Sequence, residues 1–194
     1  RRIGDRPVFL CASTREGEEA LILDAWPRDQ RALLVIVPRH PQRFEEVAAL
    51  VAARELRVQR RSDQTPVGAD TQVWLGDSMG EMFAYYAAAD VAFVGGSLLD
   101  YGCQNLIEPC SIGRPVLIGP STFNFAEAAR EALAAGAALQ VPEAPALAAE
   151  ALALLADPAR RTAMADAGRS FTARHRGAAA RTLALIARFI PAGR

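Results

Sequence analysis

The sequence predicts a doubly wound parallel α/β sheet, a Rossmann-like fold, across its 194 residues. Two observations lead there. Short runs of β-branched and aliphatic residues recur along the chain without polar alternation, which is how strands buried on both faces read. Alanine-rich helical stretches separate them, and the loops after the strands hold the glycine and polar residues. A hydrophobic content of 51% over this length suits one such domain with a substantial core.

Taken in order, the first strand is expected over residues 7–12, PVFLCA. Ser13 and Thr14 then read as the cap of a helix, with Glu16, Glu18 and Glu19 complementing its positive end. Residues 32–37, ALLVIV, form the second strand and stop at Pro38, and Arg39, His40 and Pro41 lead into an amphipathic helix over residues 42–54. A weaker third strand is expected at 56–59, followed by the polar stretch RSDQTPVGAD at 61–70. Residues 73–75 make the fourth strand, 76–80 a turn and 81–89 a helix.

Residues 91–125 organise the rest. Val91 to Val94 is a buried strand, Gly95 and Gly96 end it, and Asn105 can cap a helix that carries Glu108 at its third position and runs to Gly113. Residues 115–119, PVLIG, form the sixth strand. An alanine-rich helix at 126–135, a short strand at 138–141 and helix from Pro145, broken near Pro158 and Gly177, complete the chain.

Ligands of such sheets bind outside the carboxyl ends of the strands at the switch point, so the loops at 13–15, 38–40, 76–80 and 95–105 are expected to converge. A helix N-terminus there favours an anion such as a nucleotide phosphate. Glu108, one turn in, has the reach of a ribose diol, although a carboxylate in a first turn also serves simply to complement the dipole. Arg39, directly beyond a strand, is placed either to fork onto a phosphate or to pair with a neighbouring acid.

Composition removes several function classes. The 22 basic and 22 acidic residues balance, and every basic residue is Arg. There is therefore no Walker-A lysine, no Schiff-base lysine and no electrostatic case for nucleic acid. After the first strand the chain reads Cys11-Ala12-Ser13-Thr14-Arg15-Glu16-Gly17, without the G-x-G-x-x-G of a dinucleotide site. With two His and no H-E-x-x-H or C-x-x-C spacing, no metal and no cofactor is expected. Cys103 and Cys110 read as small apolar fillers. Gly76-Asp77-Ser78-Met79-Gly80 matches the G-x-S-x-G pattern of a serine hydrolase, with Asp157 or Asp166 and His175 as nominal partners, but no oxyanion loop precedes Ser78. The chain has no signal peptide or 18-residue apolar run, and it lacks an initiator Met and begins almost directly with a strand, as a piece of a longer protein would.

Five blocks in order, ASTREGEEALILDAW (12–26), VPRHPQRFEEVAAL (37–50), GDSMGEMFAYYAAADVAFVGGSL (76–98), QNLIEP (104–109) and GPSTFNFAEAA (119–129), resemble the bacterial 3-deoxy-D-manno-octulosonic acid (Kdo) transferases. These are GT-B glycosyltransferases of lipopolysaccharide synthesis, with two Rossmann-like domains facing a cleft. The resemblance covers nearly the whole chain but only the C-terminal, donor-binding half of such an enzyme. It implies a single domain over residues 1–194 that binds the donor CMP-Kdo, and an N-terminal half, outside this chain, that supplies the catalytic Glu, the lipid A precursor site and the anchor to the cytoplasmic face of the inner membrane. It implies no catalytic residue here, so the isolated domain is expected to be inactive. The family's CMP-binding segments fall on Pro38 and Arg39, on Met79, Gly80 and Glu81, and on Asn105, Leu106, Ile107 and Glu108. Where many members have a His after Ser-Thr this chain has Arg15, where many have Gly-Gly-His-Asn it has Gly102-Cys103-Gln104-Asn105, and P-H-T-F-N-F reads Pro120-Ser121-Thr122-Phe123-Asn124-Phe125. A GT-B transferase or epimerase using a UDP or GDP sugar is the alternative reading.

Overall fold

In the computed structural model, which describes residues 3–175, the first strand determines the rest of the sheet. β1 (Val8–Thr14) sends successive side chains to opposite faces, and both faces are covered. Phe9 and Cys11 enter one core, while Val8, Leu10 and Ala12 enter the other. A strand without a solvated face belongs in the interior of a sheet. Accordingly β1 pairs in parallel with β2 (Leu33–Pro38) on one side and with β5 (Val91–Val94) on the other. Beyond β2 lie β4 (Val73–Leu75) and then β3 (Val58–Arg60), and beyond β5 lie β6 (Val116–Ile118) and β7 (Ala138–Gln140). The order is β3-β4-β2-β1-β5-β6-β7, with parallel pairing throughout. The chain builds one half of the sheet outward from β1 and crosses back to β5 to build the other. The β1–β5 boundary is therefore the switch point.

Helices cover both faces. α1 (Glu18–Ala25), α2 (Phe44–Ala52) and α6 (Ala144–Ala156) pack Ile22, Leu23, Val47, Val51, Leu147 and Leu154 onto the face that holds Phe9, where the Phe9 and Trp26 rings stack at 5.2 Å. α3 (Met82–Ala88) brings Tyr85 and Tyr86 to the opposite face. α4 (Ile107–Ser111), α5 (Ala126–Ala134) and α7 (Pro158–His175) bury Cys110, Ala129, Ala132 and Phe171 against Val94, Val116 and Ile118. The cysteines at 11, 103 and 110 are free and buried, as apolar fillers are. Burial pushes the Cys103 and Cys110 thiols up to about 12, so neither is a thiolate at neutral pH.

The doubly wound fold is as expected, but two local readings change. Ser13 and Thr14 do not cap a helix. Thr14 stays in β1 opposite Pro38, Ser13 is the bulged residue between the Ala12–Val37 and Thr14–Pro38 pairs with φ 55°, and α1 starts only after Gly17 at φ 87°. A Cβ at residue 17 would come within 2.9 Å of Leu99 Cδ1, so glycine there serves both the backbone angle and the close approach. The helix expected from Asn105 to Gly113 contains only five α-helical residues, with Pro109 inside it and Gly113, at φ 69°, ending the turn. A dipole this short contributes little of the half-charge expected of a full helix. Residues 41–43 and 61–63 are 3-10 turns, and the expected break at Gly177 lies outside the described residues.

Candidate functional site

The loops at the carboxyl ends of β2, β1, β4 and β5 do converge. They enclose a cleft of about 230 Å³. Ser13 enters it because the bulge in β1 turns it out of the pairing, and Pro38 and Arg39 enter from the end of β2. Met79 and Gly80 come from the β4–α3 turn, and Tyr86 from the helix behind it. Gln104, Asn105 and Glu108 close the other side. Asn105 is not the cap itself but lies one residue before the N-cap, Leu106; its Oδ1 accepts the N–H of Ile107, the first helical residue, at 3.1 Å and its Nδ2 donates to Glu108 Oε1 at 3.1 Å. Glu108 is thereby oriented on the cleft wall from one oxygen.

The wall at the switch point is fixed by a carboxylate that sequence reasoning assigned only to the helix dipole. Glu18 has no solvent exposure, and it accepts the backbone N–H groups of Arg15 at 2.8 Å, Gly96 at 2.7 Å and Leu98 at 2.9 Å. A buried ion is tolerable only when it is satisfied in this way. Burial pushes its carboxyl above the usual range, the backbone bonds oppose that, and the neighbouring Glu19 adds to the rise. Glu18 thus joins the loop after β1 to the loop after β5. Gly95 permits the joint, because a Cβ there would lie 2.5 Å from Ser13 O. Ser97 locks the next turn, donating to Val94 O at 2.5 Å and accepting the Gly119 N–H at 2.8 Å. Glu19, equally buried, accepts from Thr14 Oγ1 and Arg43 Nη1, both at 2.7 Å, and Arg43 also pairs with Glu46. Their signal was present in the sequence. Glu18 and Glu19 sit four residues before the core residues Ile22 and Leu23, on the buried stripe of α1.

The opposite wall carries the G-x-S-x-G pattern. Ser78 Oγ donates to Glu81 Oε2 at 2.5 Å and lies 2.6 Å from the Tyr85 hydroxyl, while Glu81 Oε1 takes Arg61 Nη2 at 2.9 Å. This is not a nucleophile elbow. Ser78 lacks the positive φ of that strained turn, Asp157 accepts the Arg160 N–H at the start of α7, Asp166 pairs with Arg169, and the His175 side chain lies outside the described residues.

Of the residues expected at the site, Pro38, Arg39, Met79, Gly80, Asn105 and Glu108 line the cleft. Glu81 stands behind it, engaged with Ser78 and Arg61. Leu106 is fully buried in the core and Ile107 is exposed, and neither lines the cleft. No group of His, Cys, Asp and Glu suited to a metal ion occurs among the described residues. Nor is any helix among them long and apolar enough to cross a membrane.

Residues 20–171 match the family model of glycosyl transferases group 1. The chain is 53% identical over 186 residues to a 3-deoxy-D-manno-octulosonic acid transferase of Bordetella pertussis, a match covering 92% of this chain and 44% of that protein. It is 40% identical over 187 residues to the enzyme of the same name from Haemophilus influenzae, with 94% and 44% covered. The chain thus spans less than half the length of these relatives. Among solved structures, the C-terminal CMP-Kdo binding domain of WaaA from Acinetobacter baumannii superposes with a TM-score of 0.83 at 36% identity, covering 87% of this chain and 90% of that one. The chain therefore belongs to the group 1 glycosyl transferases, with the GT-B type of Rossmann-like domain, on their 3-deoxy-D-manno-octulosonic acid transferase branch.

Proposed function

We propose that this domain binds CMP-Kdo as the donor half of a Kdo transferase, for transfer to a lipid A precursor in lipopolysaccharide synthesis at the cytoplasmic face of the bacterial inner membrane. The observation that carries this reading is the convergence of Arg39, Met79 and Gly80, and Asn105 and Glu108 on one cleft at the switch point, in a chain so similar to a solved CMP-Kdo binding domain. In this reading Arg39 faces the phosphate, backbone groups of Met79 and Gly80 approach the base, and Glu108 accepts the ribose hydroxyls. Glu81 supports the base-side turn through Ser78, and Leu106 and Ile107 contribute main chain.

The domain is expected to bind CMP in preference to UMP and GMP, read as a ligand-dependent rise in melting temperature that persists in excess EDTA. Equal shifts for all three nucleotides would overturn the CMP assignment, a larger shift with UMP or GMP would favour the UDP- or GDP-sugar alternative, and a loss in EDTA would bring in a metal. In the same assay Glu108→Gln should weaken CMP by about 1.5 kcal/mol while leaving 2′-deoxy-CMP much less affected. An equal loss for both removes the ribose role.

Transfer also needs a base within about 3 Å of the acceptor hydroxyl and an acceptor held in line with the anomeric carbon. On this reading those come from an N-terminal half present in the longer relatives. Incubated with CMP-Kdo and a lipid A precursor, the domain alone is expected to transfer nothing. Measurable transfer would mean that a base lies in this sequence.

A further inference from the structure

Among the described residues, two guanidinium groups beside the cleft have no partner of opposite charge. Neither Arg15 nor Arg39 makes an ion pair or a side-chain hydrogen bond among the described residues. The chain sets their backbones side by side, because the Arg39 N–H donates to Thr14 O at 2.9 Å. Arg39 is exposed and lines the cleft. Arg15 is half-buried, with its guanidinium 4.7 Å above the centre of the Tyr101 ring. Its Cγ lies 3.5 Å from where a Gly96 Cβ would be, a point also 3.3 Å from Gln104 Nε2. Gln104 is a cleft residue, so Arg15 is the next side chain out along that wall. Ring stacking occupies only the face of a guanidinium and leaves its in-plane N–H donors available.

The sheet order lays these groups out in sequence across the cleft. Met79 follows β4, Arg39 follows β2, Arg15 follows β1, and Gln104 follows β5, in the spatial order β4-β2-β1-β5. With the phosphate at Arg39 after β2, the loop after the neighbouring β1, which carries Arg15, is the adjacent position for the sugar. His40 lies within reach of the same charges: it is held below its ordinary range first by burial and then by Arg15, Arg39 and Arg43. Of those three, Arg43 is neutralised by Glu19 and Glu46. Two uncompensated cations on neighbouring loops favour a ligand that brings two neighbouring anions.

Resting on the donor reading above, the chemistry of that donor identifies the second anion. A nucleotide-linked 2-ulosonic acid bears its phosphate oxygen and its carboxylate on the same anomeric carbon. Two neighbouring anions are matched most fully by two guanidiniums, one forked onto each. We propose that Arg15 is a specificity-determining residue that takes the carboxylate of the sugar acid while Arg39 takes the phosphate, so that the cleft prefers CMP-linked sugar acids to CMP alone.

The test is calorimetric titration of the 194-residue chain and its Arg15 variants with CMP and with freshly made CMP-Kdo. The unsubstituted chain should bind CMP-Kdo at least ten-fold more tightly than CMP, a difference of about 1.4 kcal/mol. Arg15→Ala should bring CMP-Kdo down to the affinity of CMP while changing CMP itself less than two-fold. Arg15→Gln, which keeps a long side chain, should match Arg15→Ala, and Arg15→Lys should recover part of the preference. Loss of CMP and CMP-Kdo by the same factor would assign Arg15 to the phosphate, and an unchanged preference in Arg15→Ala would leave it no role; either overturns the proposal while the donor reading stands. Absence of CMP binding by the unsubstituted chain would overturn both.

Discussion

On the β1–β5 side of the cleft the ligand-facing loop is held from beneath by a carboxylate without solvent access, whereas on the β4–α3 side it is held at the surface by a hydroxyl. Glu18 joins two loops that are far apart in sequence, and all of its bonds go to backbone N–H groups. Ser78 and Glu81 act within a single turn, and the ion pair that completes them, Arg61 to Glu81, leaves the two side chains 26% and 37% exposed. The difference follows from what each wall must do. At the switch point two connections diverge and leave donors that no strand can pair, so the fold needs an acceptor placed there. The β4–α3 turn is local and solvated, and water can replace whatever it loses.

The comparison predicts unequal mutational costs, and Glu18→Ala should be the largest. It leaves the N–H groups of Arg15, Gly96 and Leu98 without acceptors in a site closed to water, at 1 to 3 kcal/mol for each unmade bond, partly offset by removal of a buried charge. A net loss of about 3 kcal/mol is expected in urea unfolding. The pH dependence carries a second sign. Because the folded-state pKa of Glu18 is raised, its linked stability is complete below the ordinary carboxylate value and is lost as pH rises through the folded value. The stability gap between the unsubstituted chain and Glu18→Ala should therefore narrow from about pH 4 upward. A gap that widens with pH, or a loss below about 1 kcal/mol, would mean the two walls are not differently built.

The same contrast separates what the sequence made legible from what it hid. The strands were readable because a sheet buried on both faces has no polar alternation, and β4 and β5 were expected at Val73 to Leu75 and Val91 to Val94, where they lie. The convergence of the loops at 38–40, 76–80 and 95–105 followed from topology alone. The start of α1 was misread, because Ser13 and Thr14 look like a cap until the bulge that keeps Thr14 in β1 is known, and that bulge is set by pairing with a distant strand. Glu18 was visible as an acid but not as an anchor. Its donors come from residues 96 and 98, and no local pattern reports a contact of that separation. The five-residue α4 was overestimated for the opposite reason, since Asn105 and Glu108 are good local signals and only the interior Pro109 opposes them.

The smallest effect should come from the surface wall, with Ser78→Ala. The hydroxyl bridges Glu81 Oε2 and the Tyr85 hydroxyl, so its removal costs two bonds, but Ser78 and Glu81 are both partly exposed and water can stand in for it. A loss of about 1 kcal/mol is expected, with less than a five-fold fall in CMP affinity if Met79 and Gly80 meet the base through their main chain. The helix behind the turn supplies the reason it should hold, since Tyr85 and Tyr86 stay buried in the core whether or not Ser78 is present. The same residue tests the hydrolase alternative. A serine made nucleophilic needs a base to take its proton, and Ser78 is bonded to a carboxylate that is itself paired with Arg61. A fluorophosphonate probe should therefore leave the unsubstituted chain unlabelled. Labelling that vanishes in Ser78→Ala would make the turn an active site of its own, and a stability loss equal to that of Glu18→Ala would show that this wall, too, is anchored from within.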